Sequence, residues 1–243
     1  MRPKIICHMV TSIDGRLHPS RFTAPALGVD SAVLRRHYDR VADSFKAEGW
    51  MVGRTTMQEI AKGAARSVAA TASFPRETYV ADRRGRNLAV AIDPHGKVHY
   101  GKDNVLGDHV VAVLGENVPD TYLAELREDG ASYLFAGPDG RDMAKAMQTL
   151  HGTFDVKTLL LEGGAATNGL FLNQRLIDEI SVLIHPAIDG VAGVQTIFEY
   201  AGAANEKPGD GQSLRHFATE TLEGGMVWLR YGVEASPASG RTR

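Results

Sequence analysis

A single cysteine, Cys7, stands among 243 residues. That excludes an internal disulfide and any multi-cysteine metal centre, and the apolar run around Cys7 reads as the setting of a buried structural thiol. The nine histidines show no metal-ligand spacing, so no metal is expected. No apolar run approaches the roughly 18 residues that a transmembrane helix needs, and the apolar start of the chain is too short for a signal peptide. A cytoplasmic location with no membrane partner is the default. Positive charge is not in excess either: the formal net charge is −2, which gives no broad basic field for nucleic acid. Four motifs are missing. Without H-x-E…P-C-x-x-C there are no ligands for zinc deaminase chemistry. Without G-x-G-x-x-G after a strand, an ordinary dinucleotide-binding dehydrogenase is disfavoured. The absence of G-x-x-x-x-G-K-[ST] and of G-x-S-x-G argues against a P-loop NTPase and an α/β hydrolase.

What is present is an ordinary globular composition, 43% hydrophobic and 23% charged, with neither an internal repeat nor a clear linker. We expect one domain over residues 1–234 and a disordered tail over 235–243. Residues 4–10 are apolar and β-branched and read as a buried first strand; 11–25 read as a loop. Asp30 reads as an N-cap. Behind it Leu34, His37/Tyr38, Val41 and Phe45 recur at helical spacing, with Gly49 as the stop. Residues 50–53 form a short apolar run that feeds a helix over 54–62. Strands follow at 88–92, 109–114 and 131–136, and helices at 121–128 and 142–150. Residues 63–77 show no clear pattern, and 201–213 read as an exposed loop. Two final runs, 217–222 and 226–233, flank Glu223-Gly224-Gly225, a hairpin signal. Strands alternating with helices indicate an α/β protein with a mostly parallel central sheet, to which the hairpin adds antiparallel character.

Three stretches carry chemistry. Thr158–Gly190 reads as strand, glycine turn, helix, strand. Its turn, Glu162-Gly163-Gly164, combines a carboxylate with residues that let a ligand approach the backbone. The helix start that follows offers free N–H groups to an anion. A structural reading, a helix start that needs flexible residues, stays open. Ser12-Ile13-Asp14-Gly15-Arg16 brings hydroxyl, carboxylate and guanidinium together just beyond the first strand, where α/β sheets bind ligands; an Asx-type turn at Asp14 would explain it without function. Val52-Gly53-Arg54-Thr55-Thr56 could bind phosphate or a nicotinamide amide, or could contain an N-cap at Thr55 or Thr56. Asn168, one turn past the glycines, could cover the same site or serve in packing. His8 reads as a core or near-site histidine, and His185 as a residue that orients its strand end.

Taken in order, these three stretches resemble the reductase domain of the bifunctional riboflavin-biosynthesis deaminase–reductase, a relative of dihydrofolate reductase. The resemblance runs on through Leu176-Ile177-Asp178-Glu179 to His185-Pro186 and Gly190, and covers nearly the whole chain. It implies a dihydrofolate-reductase-like α/β fold, NADPH as cofactor, a homodimer, and a small pyrimidine- or pterin-type substrate. In the riboflavin pathway that substrate is 5-amino-6-(5-phosphoribosylamino)uracil, whose ribose becomes a ribityl chain. By this match Asp14, Arg16 and Glu162 form the catalytic group, and Ser12 lies on the substrate side. Gly53, Arg54, Thr55, Thr56, Gly163 and Gly164 line the cofactor path. A dihydrofolate-reductase-like alternative gives Asp30, at the start of the first helix, the place of the carboxylate that holds a pterin; a non-catalytic nucleotide binder is the third reading. The sequence departs from the family in two places. Arg16 stands where riboflavin reductases usually carry lysine, and an arginine cannot readily give up a proton. Residues 63–77 contain Arg66 and Arg76 but not the Asp-Asp-Pro segment and arginine that help hold a substrate phosphate. The deaminase half is not in the sequence, so a stand-alone reductase is expected.

Overall fold

The computed structural model describes residues 1–66, 68, 73–203 and 205–236. In chain order its elements are β1 (Lys4–Ser12), α1 (Ser31–Ser44), β2 (Gly49–Gly53), α2 (Arg54–Ala61), β3 (Leu88–Ile92), β4 (Asn104–Val105), β5 (Asp108–Leu114), α3 (Asp120–Asp129), β6 (Ser132–Phe135), α4 (Met143–Phe154), β7 (Thr158–Leu161), α5 (Ala165–Asn173), β8 (Glu179–His185), β9 (Gln212–Thr221) and β10 (Val227–Ala235). The fold is the expected mixture of α and β. Its contacts divide it into two compact units, Met1–Pro3 with Glu48–Leu159, and Lys4–Ala47 with Leu160–Arg243.

The first unit is built on parallel strands. β2 pairs with β3, β3 with β5 and β5 with β6, all parallel, and the short β4 runs antiparallel to β5. All five residues of β3 are buried, the continuous apolar run that a strand covered on both faces requires. α3 closes with Gly130 at φ 75°, a left-handed C-cap that costs glycine little.

Gly49, expected to stop the first helix, instead opens β2. A Cβ at Gly49 would lie 2.6 Å from the Leu88 carbonyl oxygen on the neighbouring strand, so close strand pairing, not helix termination, requires glycine there. α1 has ended five residues earlier, at Ser44. Gly53 is the N-cap of α2, so neither Thr55 nor Thr56 caps that helix.

The second unit holds β1, β8, β10 and β9. β1 and β8 are parallel, in register from Ile6 opposite Glu179 to Ser12 opposite His185. That register brings Ser12 and His185 out side by side at the carboxyl ends of the two strands. β1 outlasts its apolar run because Thr11 and Ser12 still find partners on β8. β10 runs antiparallel to both β8 and β9, with a register shift between Arg230 and Tyr231. β9 begins at Gln212, earlier than its hydrophobicity suggests, because its polar first residues pair with β10. β10 likewise carries ordered backbone through Ala235 into the expected tail; residues 237–243 of that tail lie outside the described residues. α1 buries Val33, Leu34 and Val41, and Leu34 and Val41 pack with Leu183, Leu222 and Met226.

Candidate active site

The Ser12–Arg16 loop forms a closed turn in the second unit. The Ser12 hydroxyl donates to Asp14 Oδ1 at 2.6 Å and accepts from the Arg16 backbone N–H at 3.0 Å. The Gly15 N–H donates to the Ser12 carbonyl at 2.9 Å, with Gly15 at φ 79°. Asp14 then reaches beyond its own turn. Its Oδ1 accepts from the Asp189 N–H at 3.1 Å and its Oδ2 from the Gly190 N–H at 2.8 Å. The Ser12 hydroxyl first, and the two amides after it, hold the Asp14 carboxyl well below the usual carboxylate range. Asp14 is therefore a permanent anion that ties the loop after β1 to the loop after β8. Arg21 adds a two-pronged ion pair to Asp189, at 2.8 and 3.1 Å, and Ile13 donates to the Ala187 carbonyl at 2.9 Å.

Arg16 is held less completely. Its Nη1 donates to the Val194 carbonyl at 2.6 Å. Its Nε lies 3.9 Å from Asp14 Oδ2, beyond hydrogen-bond range, and is buried without a partner among the described residues. His185, at the end of β8, likewise keeps a buried Nδ1 without a partner, and burial lowers the pKa of its ring.

Glu162 and Gly163 follow directly on the carboxyl end of β7. Gly163 has φ 100°, and a Cβ there would lie 3.2 Å from the Met9 side chain on β1. Only glycine meets both conditions comfortably. Glu162 keeps part of its surface accessible, but protein surrounds its carboxyl closely enough that burial pushes its pKa up to about 7. The nearby Tyr38 hydroxyl of α1, whose described hydrogen bond goes to the His8 carbonyl at 3.4 Å, acts against that rise, while the Asp39 charge adds to it. Near neutrality this carboxyl is present in both protonation states.

α5 begins just after the glycine turn, with Gly164 as its N-cap and no side chain closing its first turn. One turn on, Asn168 is wholly buried. Its Nδ2 donates to the Ile197 carbonyl at 2.9 Å, so its described contact is with a packed loop. Asp30 is likewise engaged: its carboxylate accepts from the Ala32 N–H at 2.9 Å and caps α1.

In the first unit Gly53, Arg54, Thr55 and Thr56 follow the carboxyl end of β2 and form the first turn of α2, which no side chain caps. Arg54 is exposed and its Nη2 lies 3.4 Å from the Thr55 hydroxyl. The two arginines of residues 63–77 both serve local structure. Arg66 pairs with Asp129 at 2.5 Å and Glu128 at 3.4 Å. Arg76 donates to the carbonyls of Phe74, Glu116 and Val118 and pairs with Asp120 at 2.6 Å. Residues 67 and 69–72 of that stretch lie outside the described residues.

Sequence reasoning missed the environment of Glu162. His8 stacks on Tyr38 with ring centroids 4.5 Å apart, and its Nδ1 lies 3.0 Å from the Ser181 hydroxyl, which also accepts from Trp228 Nε1 at 2.8 Å. The spacing marked Tyr38 only as an inward position of α1. A polar atom on an otherwise apolar stripe was the one available signal.

Comparisons with known proteins bear on the family and the fold. A protein of Methanothermobacter thermautotrophicus named 2,5-diamino-6-ribosylamino-4(3H)-pyrimidinone 5′-phosphate reductase is 29% identical over 211 residues, covering 83% of this chain and 86% of its own length. The protein of the same name from Aquifex aeolicus is 28% identical over 206 residues, covering 81% and 82%. The crystal structure of a pyrimidine reductase-like protein from Corynebacterium diphtheriae superposes with a TM-score of 0.68 at 16% identity, over 96% of this chain and 93% of that one, a likeness of fold. The RibD C-terminal domain family matches residues 3–227, and the chain belongs to that family.

Proposed function

We propose that this chain is an NADPH-dependent reductase that converts the ribose of a ribosylaminopyrimidine phosphate to its open ribityl chain. The names of its relatives support that class of substrate, and membership of the RibD C-terminal family makes the chain an oxidoreductase of riboflavin biosynthesis. The residues fit the cofactor. Gly163 leaves its backbone bare of a Cβ, and the first turn of α5 is left open for an anion. Gly163 and Gly164 would hold the pyrophosphate; in the first unit, Gly53, Arg54, Thr55 and Thr56 form a glycine-capped helix start whose chemistry also suits a phosphate. NADPH, when bound, supplies the hydride.

The observation that carries the reading is the placement of Glu162 between the carboxyl end of β7 and the glycine turn that opens the uncapped helix α5, where burial also raises its pKa. Reduction of the ribosylamine breaks the bond between C1′ and the ring oxygen. C1′ takes the hydride and the ring oxygen takes a proton. Protonated Glu162 is the group suited to give that proton, directly or through water. Asp14, fixed as an anion, contributes charge and loop geometry rather than a proton. Arg16 cannot donate a proton either, and orients the acceptor together with Ser12. Asp30, occupied as a helix cap, is the group that a dihydrofolate-type substrate would need, so the ribosylaminopyrimidine is favoured over a pterin.

Two further points belong to this reading: a cytoplasmic enzyme and a homodimer. No helix among the described residues is long and apolar enough to cross a membrane. β9 is a terminal strand with exposed Leu214 and Phe217, an edge that a second copy would cover.

The test is to follow thermal shift and nicotinamide fluorescence on adding NADPH or NADH, and then turnover with the ribosylaminopyrimidine phosphate. NADPH binding and oxidation, with a product two hydrogens heavier, are expected. Failure to bind either nicotinamide cofactor overturns the proposal.

A further inference from the structure

β1 and β8 end side by side, and their last side chains share one face of the sheet. His8 and Ser181 are paired across the two strands, and His8 Nδ1 lies 3.0 Å from the Ser181 hydroxyl. Side chains on a strand return to the same face every second residue. Ser12 and His185, four residues further on and paired in turn, therefore share that face. Groups of α1 cover it further back: Tyr38 stacks on His8, and Leu34 and Val41 pack with Leu183. His185 meets Phe22 instead, with ring centroids 5.4 Å apart and the planes at 57°. The backbone around it is tied down. Ser12 N–H donates to the Arg16 carbonyl at 3.1 Å, Ile13 N–H to the Ala187 carbonyl at 2.9 Å, and Ala187 N–H to the His185 carbonyl at 2.7 Å. His185 Nδ1 is buried without a partner among the described residues, while the residue as a whole keeps part of its surface accessible.

We propose that His185 is a substrate-binding residue, its Nε2–H donating to a carbonyl oxygen of the pyrimidine ring beside the Ser12–Arg16 turn. The proposal rests on the ribosylaminopyrimidine phosphate as substrate. The buried nitrogen decides where the proton sits. Buried N–H groups without an acceptor are rarer in folded proteins than bare acceptors. The neutral ring therefore carries its proton on Nε2 and leaves Nδ1 as the lone pair. Burial also lowers the pKa of the ring, so the neutral form prevails at pH 7 and above. Charge favours a carbonyl over the phosphate. Arg16 Nε lies 3.9 Å from Asp14, and Arg21 pairs with Asp189 at 2.8 Å, so carboxylates already match the two guanidinium groups of these loops. His185 adds no charge of its own. A phosphate is best held by cationic donors, whereas a carbonyl is served by a neutral N–H. The Phe22 ring beside the imidazole gives a flat heterocycle an apolar flank.

The experiment uses the full-length protein with NADPH and the ribosylaminopyrimidine phosphate, and compares wild type with His185→Ala, His185→Gln and His185→Asn. In His185→Ala the KM for this substrate rises about 3- to 10-fold, the scale of one neutral hydrogen bond, while kcat and NADPH affinity stay close to wild type. The two amides separate the ring nitrogens. Glutamine carries its N–H to the place of Nε2 and restores the wild-type KM; asparagine reaches only the place of Nδ1 and does not. The same compound without its phosphate, used as a competitor, loses affinity for His185→Ala by the same factor. An unchanged KM in His185→Ala overturns the assignment, as does rescue by asparagine but not glutamine. A loss confined to the phosphorylated compound places His185 on the phosphate and overturns the carbonyl. If His185→Ala does not fold, the glutamine and asparagine variants carry the comparison with the same outcomes. A wild type that binds NADPH but neither binds nor reduces the substrate overturns the substrate reading itself, which an active wild type with an unaffected His185→Ala leaves standing.

Discussion

Asp14 Oδ2 accepts a 2.8 Å hydrogen bond from the backbone N–H of Gly190, 176 residues further along the chain. With the Ser12 hydroxyl and the Asp189 amide, this bond makes the carboxylate the junction of two loops, those after β1 and β8. Its consequence for stability has a definite sign. The folded-state pKa is depressed, so the anion stabilises the fold above the unfolded value, and that contribution disappears as pH falls through the folded value. Asp14→Asn should unfold at lower temperature than wild type at neutral pH, and the gap should close in strong acid. Amide hydrogen exchange at Asp189 and Gly190 should quicken. Equal melting temperatures at neutral pH would show that the junction contributes nothing.

Glu162 gives the opposite dependence. Its folded-state pKa stands at about 7 against an ordinary 4.5. The fold therefore holds the proton more tightly than the unfolded chain does, and stability falls as pH rises from the lower value through the upper one. Glu162→Gln carries no such titration. Its thermal stability should vary less than that of wild type across this window, with the largest relative gain on the alkaline side. Turnover should be lost while NADPH binding persists. Parallel melting profiles for the two proteins would contradict the buried, raised carboxyl.

Much of this was legible in the sequence because local physics wrote it there. The apolar runs at 88–92 and Thr158–Leu161 needed no tertiary information to become β3 and β7. Asp30 at the head of α1 and Gly130 at the end of α3 are caps chosen by backbone geometry alone. The Glu162-Gly163-Gly164 turn could likewise be read from residue types. What could not be read depends on contacts distant in sequence. Gly49 looks like a helix stop until Leu88 is beside it. Asp14 looks like a free catalytic carboxylate until the loop after β8 supplies two amides. Arg66 and Arg76 look available for a phosphate until Asp129 and Asp120 take them.

The proposed homodimer makes a separate prediction. On the terminal strand β9, Leu214 is 54% and Phe217 44% exposed. Arg230 lies 4.8 Å from the Phe217 ring centroid, so the ring is already partly anchored from one side. If a second copy covers this strand, light scattering after size exclusion should give twice the chain mass for wild type and the single mass for Phe217→Asp. A wild-type monomer at micromolar concentration would remove the dimer from the proposal.

The tight seat of α5 can be tested with two glycines that look alike in the sequence. Both Gly169 in α5 and Gly152 in α4 lie inside helices, where alanine is intrinsically better than glycine by about 0.5–1 kcal/mol. Nothing lies within 4 Å of a Cβ built on Gly152, whereas one on Gly169 would lie 2.5 Å from the Glu199 carbonyl oxygen and 2.8 Å from the Tyr200 nitrogen. Those are backbone atoms, so no rotamer change relieves the overlap. The loop that would have to move also supplies the Ile197 carbonyl to buried Asn168, and the Glu199 N–H donates to the Ala165 carbonyl at 3.0 Å. Gly152→Ala should therefore gain about 0.5–1 kcal/mol in urea unfolding. Gly169→Ala should lose about 1–3 kcal/mol as an overpacking substitution. Because Ala165 begins the helix whose N-terminal turn is proposed to hold the cofactor pyrophosphate, Gly169→Ala should also weaken NADPH binding, which Gly152→Ala leaves unchanged. Equal stabilisation by both substitutions would mean that this loop yields freely and does not brace α5.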